Sequence, residues 1–303
     1  MAMTFDLPAA TAFMASNARL LDRRRFQLLV EDAEPGAALA AVEAYRNPDG
    51  GYGWGLEPDL RSPESQPGGA LHAFEAFADV APATSPRAVE LCEWLASVAL
   101  PDGGLPFALS VSDPAGCAPF WASADPEVSS LQITAYVTAA AHRVAAHDPA
   151  VAGHAGLTRA TDYCLGAIDS IGDEPHALAL AASLQFLDVV HATRPEATPL
   201  IARLGRLIPP DGLVRVAGGT EEETMRPLDF APAPDSPVRA LFDSETITAE
   251  LERLAAEQQE DGGWAVDFRS YSPAAELEWR GYATVRAVSI LQRNGVHAQG
   301  RGT

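Results

Sequence analysis

The stretch Gln258-Gln259-Glu260-Asp261-Gly262-Gly263-Trp264 decides the reading of the fold. It closes a charged helical run and opens a loop, and an almost uncharged helix follows. Weaker copies stand at Asn47-Pro48-Asp49-Gly50-Gly51-Tyr52, Leu100-Pro101-Asp102-Gly103-Gly104 and Pro209-Pro210-Asp211-Gly212. The four aspartates are spaced 53, 109 and 50 residues apart, and the middle value is close to twice the others. One repeat has therefore lost its signature, and a unit of helix, glycine turn, loop and helix recurs about every fifty residues, a repeat architecture.

The helices predicted around these turns are of two kinds. Those before a turn are amphipathic: residues 245–260 carry Glu245, Glu250, Glu252, Arg253, Glu257 and Glu260 beside Leu251 and Leu254. Those after a loop are apolar nearly all round, as 128–141 and 177–187 are, and such helices are buried on every side. Alternation of half-exposed and buried helices is what concentric rings produce. The expected fold is all-α, an α/α toroid of about six inner and five to six outer helices. It forms one domain over 1–303, with repeats near 9–46, 47–100, 101–168, 169–208, 209–260 and 261–294. The inner helices are expected to begin near Ala9, Gly68, Val128, Pro175, Pro237 and Ala274, with Ser85-Pro86 capping an outer one. Arg23-Arg24-Arg25 reads as a cationic last turn of a helix over 9–30, and the tail after Gly295 as frayed.

Composition excludes some functions. With 41 acidic against 21 basic side chains, the net charge is −20, which repels nucleic-acid phosphates and anionic lipid headgroups. No uncharged apolar run reaches the roughly 18 residues of a membrane span, and the first residues lack a signal-peptide pattern. Cys92, Cys117 and Cys164 are sparse and odd in number, which reads as reduced thiols in a cytoplasmic protein. Asp162-Tyr163-Cys164 is the nearest thing to a metal-ligand spacing, but it sits on an outer-type helix, so neither a metal nor a cofactor is expected. His72, His142 and His191 read as helix residues with ordinary partners.

Gln-x-x-Asp-Gly-Gly-Trp, between an amphipathic helix and a loop, resembles the Gln-Trp repeat of squalene–hopene and oxidosqualene cyclases. It is also similar to the glycine-rich repeats of protein prenyltransferase β-subunits, and the chain as a whole to small bacterial proteins with prenyltransferase and squalene-oxidase repeats. The resemblance implies an α/α toroid whose central apolar cavity, lined by aromatic side chains, holds an isoprenoid-like hydrophobic small molecule. Where cyclases carry Asp-x-Asp-Asp, this chain reads Glu64-Ser65-Gln66-Pro67, Ser130-Leu131-Gln132-Ile133 and Glu276-Leu277-Glu278-Trp279. Glu276 and Glu278 are either a carboxyl dyad with split proton affinities or two exposed glutamates favoured by a helix's first turn.

If the loops share one rim, Glu57, Asp59, Arg61, Glu64, Asp125, Glu127, Asp229 and the 276–280 segment converge there with Trp54, Trp121, Trp264 and Trp279. Aromatic faces stabilise a cation by roughly 0.5–2 kcal/mol each. One expectation is therefore a metal-independent, acid-initiated cyclase or isomerase with Asp59, Glu64, Glu276 or Glu278 as the acid. Arg61 or Arg280 orients the acid or a polar head, and Tyr52, Trp54, Glu57, Trp121, Asp229, Trp264 and Trp279 surround the substrate. Two alternatives stay open, a non-catalytic carrier of a hydrophobic molecule and a carbohydrate-active α/α barrel. The repeat favours reading Trp264 as packing against the neighbouring repeat, and 57–61 reads equally as a brace of ion pairs or as the source of the acid.

Overall fold

The computed structural model describes residues 3–31 and 33–298. It is helix-rich, and strands are confined to two pairs of two-residue segments among the described residues. Asp6 caps α1 (Leu7–Asn17) by accepting from the Ala9 amide, and α2 (Leu20–Val30) and α3 (Pro35–Glu43) follow. The helix expected over 9–30 is thus two helices, broken at Ala18 and Arg19, whose backbones are extended. The arginines sit inside α2 rather than in a last turn: its ladder continues to Val30, and Arg25 is buried.

After the first turn and loop come α4 (Pro67–Asp79) and α5 (Pro86–Val98), the latter with Ser85 as N-cap and Pro86 as its first residue. The second loop holds α6 (Pro119–Ala122) and leads to α7 (Leu131–Ala145). Beyond it stand two helices, α8 (Pro149–Ala152) and α9 (Ala155–Asp169), the Asp148 and His154 side chains capping one each. Next come α10 (Ala177–Val190) and α11 (Ala197–Gly205), then a hairpin pairing β2 (Val214–Arg215) with β3 (Thr224–Met225). The chain ends on α12 (Pro227–Phe230), a 3-10 turn at Pro237–Leu241, α13 (Ser244–Ala256) and α14 (Pro273–Arg293). No inner helix starts at Pro237; five residues of 3-10 turn stand there. Nor is the tail frayed up to Ala298, because β4 (His297–Ala298) pairs in parallel with β1 (Thr4–Phe5).

The packing follows a definite order. Helix α2 lies against α3, α4 and α14; α4 against α5 and α7; α7 against α9 and α10. In turn α10 lies against α11 and α12, α12 against α13, α13 against α14, and α14 against α1 and α2. One apolar core joins α4, α5 and α7, a second α9, α10 and α11, and a third α1, α13 and α14.

Hydrogen bonds fix the register between repeats. Asp49 Oδ1 accepts from the Gly51 amide at 3.0 Å and from Ser65 Oγ at 2.8 Å; Asp102 Oδ1 does the same with Gly104 and Ser129, at 3.0 and 2.7 Å. Asp261 Oδ1 accepts from Gly263 and from Arg280. The Gln66 amide bonds to the Tyr52 carbonyl and the Ser130 amide to the Leu105 carbonyl. The Leu105 and Trp264 amides bond to the hydroxyls of Thr134 and Thr284. Gln66, Ser130 and Arg280 therefore share one level, and α14 begins well before it.

Each glycine turn also abuts another helix. A Cβ on Gly103 (φ +92°) would stand 2.9 Å from the Arg159 carbonyl oxygen of α9, and one on Gly262 (φ +93°) 2.2 Å from that of Ala9 in α1. Only glycine fits both the left-handed backbone and the close approach. Helix α1 thus stands to the last turn as α9 stands to the second. The helix beginning near Ala9 has the place of an amphipathic one, and α2 is its buried partner.

Candidate functional site

The first long loop, 51–66, is drawn inside by its own apolar residues. Leu56 and Leu60 are buried, and turns closed by Leu56 N–H to Gly53 O and Leu60 N–H to Glu57 O pull Glu57 and Asp59 in between them. Glu57 is 6% exposed and Asp59 3%. Buried charges need partners, and both find them on other elements.

Glu57 Oε2 meets His72 Nε2 at 2.9 Å, and the other ring nitrogen, Nδ1, meets Glu75 Oε2 at 3.1 Å. Burial alone would lower the His72 pKa, but the two carboxylates outweigh it and raise it to about 9, so the imidazole is charged at neutral pH. Burial would likewise raise Glu75, and His72 with Arg25 brings it down to about 2. Arg25 bonds Asp79 at 2.6 Å and reaches Glu75 at 3.6 Å. The Tyr282 hydroxyl donates to Glu75 Oε1 at 2.8 Å.

The early start of α14 completes this cluster. Ser272 caps the helix, and its first two turns cross the first loop. Trp279 Nε1 donates to Asp59 Oδ2 at 2.7 Å, and the Tyr271 amide to Asp59 Oδ1 at 3.0 Å. Arg61 grips Glu278 with both terminal nitrogens, at 2.7 and 3.4 Å. The Trp279 and Tyr282 rings lie edge-on to the His72 ring, at 5.9 and 5.3 Å. Burial raises the Asp59 pKa, and the two N–H donors pull it back.

The remaining expected residues are placed as follows. Glu64 accepts from Ser62 and Ser112, which hold it near 2, so it stands as an anion. Glu276 is exposed on the first turn of α14. Arg280 pairs with Asp261 and lies over the Phe13 ring, away from the Asp59 contacts of Trp279. Trp264 is core: its Nε1 donates to the Leu254 carbonyl, and its ring meets Phe5. Trp121 stacks on Phe107, and Tyr52 is buried against Phe77. Trp54 alone is displayed, 60% exposed with φ +57°, its Nε1 on Asn47 Oδ1. Asp125 and Glu127 are exposed. Cys164 is buried while Asp162 points outward to Arg194. Among the described residues no group of three or more His, Cys, Asp or Glu side chains is placed to hold a metal ion. Nor, among them, is any helix long and apolar enough to cross a membrane.

Asp229 belongs to a second cluster. It accepts from the Arg226 amide at 2.8 Å and from Arg286 of α14 at 2.7 Å. Tyr136 of α7 feels Asp229, Arg286 and Glu75, and burial pushes its phenol upward. Four helices carry a stripe of half-buried side chains, and in α4, α7 and α10 most of the other positions are buried. The stripes include Leu71 and Glu75 on α4, Gln132 and Tyr136 on α7, Gln185 and Val189 on α10, and Tyr282 and Arg286 on α14. The Arg286 side chain is 39% exposed, yet loss of water is the largest influence on its charge, overridden by Asp229.

Two cavities lie elsewhere. One of about 30 Å³, between α5, α7 and α9, is lined by Cys92, Leu105, Val137 and Leu157 and has room for about one water. The other, a polar surface cleft of about 270 Å³, runs along Asp49, Glu90 and Trp94.

Sequence reasoning missed Arg25, His72, Glu75, Tyr136, Tyr282 and Arg286. A usable signal was present: a charged residue on a largely apolar helix, as at Glu75, is rarely left unpaired when buried. No model of a known protein family matches this sequence, and no curated protein matches it.

Proposed function

We propose that the chain closes into a single-domain α/α toroid, of the prenyltransferase and squalene-oxidase repeat type, that carries a hydrophobic small molecule in its interior. The observation that carries this reading is the set of half-buried stripes on α4, α7, α10 and α14. A side chain both desolvated and partly exposed, as Arg286 is, fits an enclosed space that water reaches. Closure is supported by the circular order of packing, from α2 through α14 and back to α2. A cytoplasmic setting accords with three unpaired cysteines, two of them buried. Native mass spectrometry after gentle purification tests the carrier reading: the protein retains a ligand, released unchanged on denaturation. Repeated preparations at the bare chain mass, with no uptake of added isoprenoid alcohols, would reject it.

A second reading, acid-initiated isomerisation of an isoprenoid, rests on Asp59, whose burial raises its proton affinity. Both of its oxygens already accept N–H bonds, which suits a brace better than a donor. Asp59→Asn abolishes turnover on this reading and only weakens folding on the first.

A further inference from the structure

Counting six residues on from the shared level of Gln66, Ser130 and Arg280 brings His72, Tyr136 and Arg286 to one height on three helices. His72 is sealed by Glu57, Glu75, Trp279 and Tyr282. The other two keep bonding capacity in reserve. The Tyr136 hydroxyl makes no hydrogen bond among the described residues. Arg286 spends a single terminal nitrogen, Nη2, on Asp229 Oδ1 and the Leu228 carbonyl, which leaves Nε and Nη1 without partners among the described residues.

The neighbouring acceptors are already taken. Glu75 Oε1 is bonded by Tyr282, and Oε2 by His72 with Arg25 close by. Asp229 Oδ1 is bonded by Arg286 and Oδ2 by the Arg226 amide. What faces the space is therefore a surplus of donors. A ligand ammonium would find Glu75 and Asp229 taken and two guanidiniums nearby, the further carboxylate beside Asp229 being Asp267, whose proton affinity burial raises, whereas a ligand oxygen would find two or more unspent N–H and O–H groups.

We propose that the interior recognises its ligand by a terminal oxygen acceptor, a carbonyl or a carboxylate, held between the Tyr136 hydroxyl and the free edge of the Arg286 guanidinium, with the apolar body along the stripes. This rests on the reading of a ligand-binding interior.

Isothermal titration of the whole protein with decanoate, 2-decanone and decylammonium tests it. At least one oxygen-bearing probe binds about tenfold more tightly than decylammonium. Tyr136→Phe and Arg286→Lys each lose about that factor for that probe and leave decylammonium unchanged. Lysine keeps the charge beside Asp229, and thermal unfolding checks that both variants are folded. Preference for decanoate assigns a carboxylate, and preference for 2-decanone a neutral carbonyl. Equal affinity for all three probes, or variants that bind as the wild type does, would overturn the head-group assignment while leaving the carrier reading intact. Binding of none of them would remove the carrier reading itself.

Discussion

The first and second repeats share a turn and differ in what that turn delivers. Asp49 and Asp102 make the same two bonds at nearly the same lengths, and both following helices are docked by the same amide-to-carbonyl contact. Yet the first loop buries Glu57 and Asp59, while the second leaves Asp125 and Glu127 in solvent. The cause lies outside either repeat. The start of α14 and the Tyr271 just before it cover the first loop, with Trp279 and Glu278, and its acids gain partners there. Turn chemistry sets the scaffold, and the element that happens to lie over a loop sets where its charges go.

The largest expected effect separates the two equivalent positions His72 and Tyr136. His72→Leu leaves Glu57 and Glu75 buried without their shared cation and costs on the order of 3–5 kcal/mol in denaturant unfolding. Tyr136→Phe, at the same level in the second repeat, shifts stability by less than about 0.5 kcal/mol. Comparable losses would mean that both side chains are structural.

Glycine-to-alanine variants rank the turns. Gly262→Ala meets the Ala9 carbonyl oxygen at 2.2 Å and loses the left-handed backbone, for roughly 3 kcal/mol or more. Gly103→Ala is intermediate, with its contact at 2.9 Å. Gly50→Ala, 3.5 Å from the nearest atom, loses only the backbone preference, about 1–2 kcal/mol. Urea midpoints in any other order would break the placement of α1 and α9 against the last and second turns.

The His72 cluster also gives stability a pH window. With its pKa raised from 6.5 to about 9 in the folded state, its contribution is complete below pH 6.5 and fades as pH rises through about 9. Glu75, lowered to about 2, contributes above pH 4.5 and loses this as pH falls through about 2. Wild-type stability therefore falls by on the order of 2–3 kcal/mol between pH 6.5 and 9.5, and His72→Gln flattens that limb. A parallel decline in the variant would trace it to other groups.

Two threonine variants sharpen the register. Thr134→Val and Thr284→Val each strand a buried amide, of Leu105 and Trp264, at about 1–3 kcal/mol. Similar losses support one level for Ser130 and Arg280; a loss in one alone does not.

The turns, the alternation of helix types and the cap at Ser85 were legible because each depends on neighbours in sequence. The break at Ala18 was not, since no glycine or proline marks it, and neither was the burial of Arg25. That arginine goes inward because Glu75 and Asp79, about fifty residues on, are there to meet it. Likewise Glu57-Pro58-Asp59 announces acids but not their fate, which is decided more than two hundred residues later by Trp279.

The measurement closest to the central claim is thiol labelling of Leu71→Cys and Val189→Cys, in a chain whose own three cysteines are replaced by alanine. If the stripes surround a common interior, a small methanethiosulfonate reagent modifies both under native conditions, more slowly than it modifies Glu127→Cys on the surface. A maleimide on a bulky polymer then reaches only the surface site. Modification by the bulky reagent at Leu71→Cys and Val189→Cys, or none by the small one before global unfolding, would contradict the account.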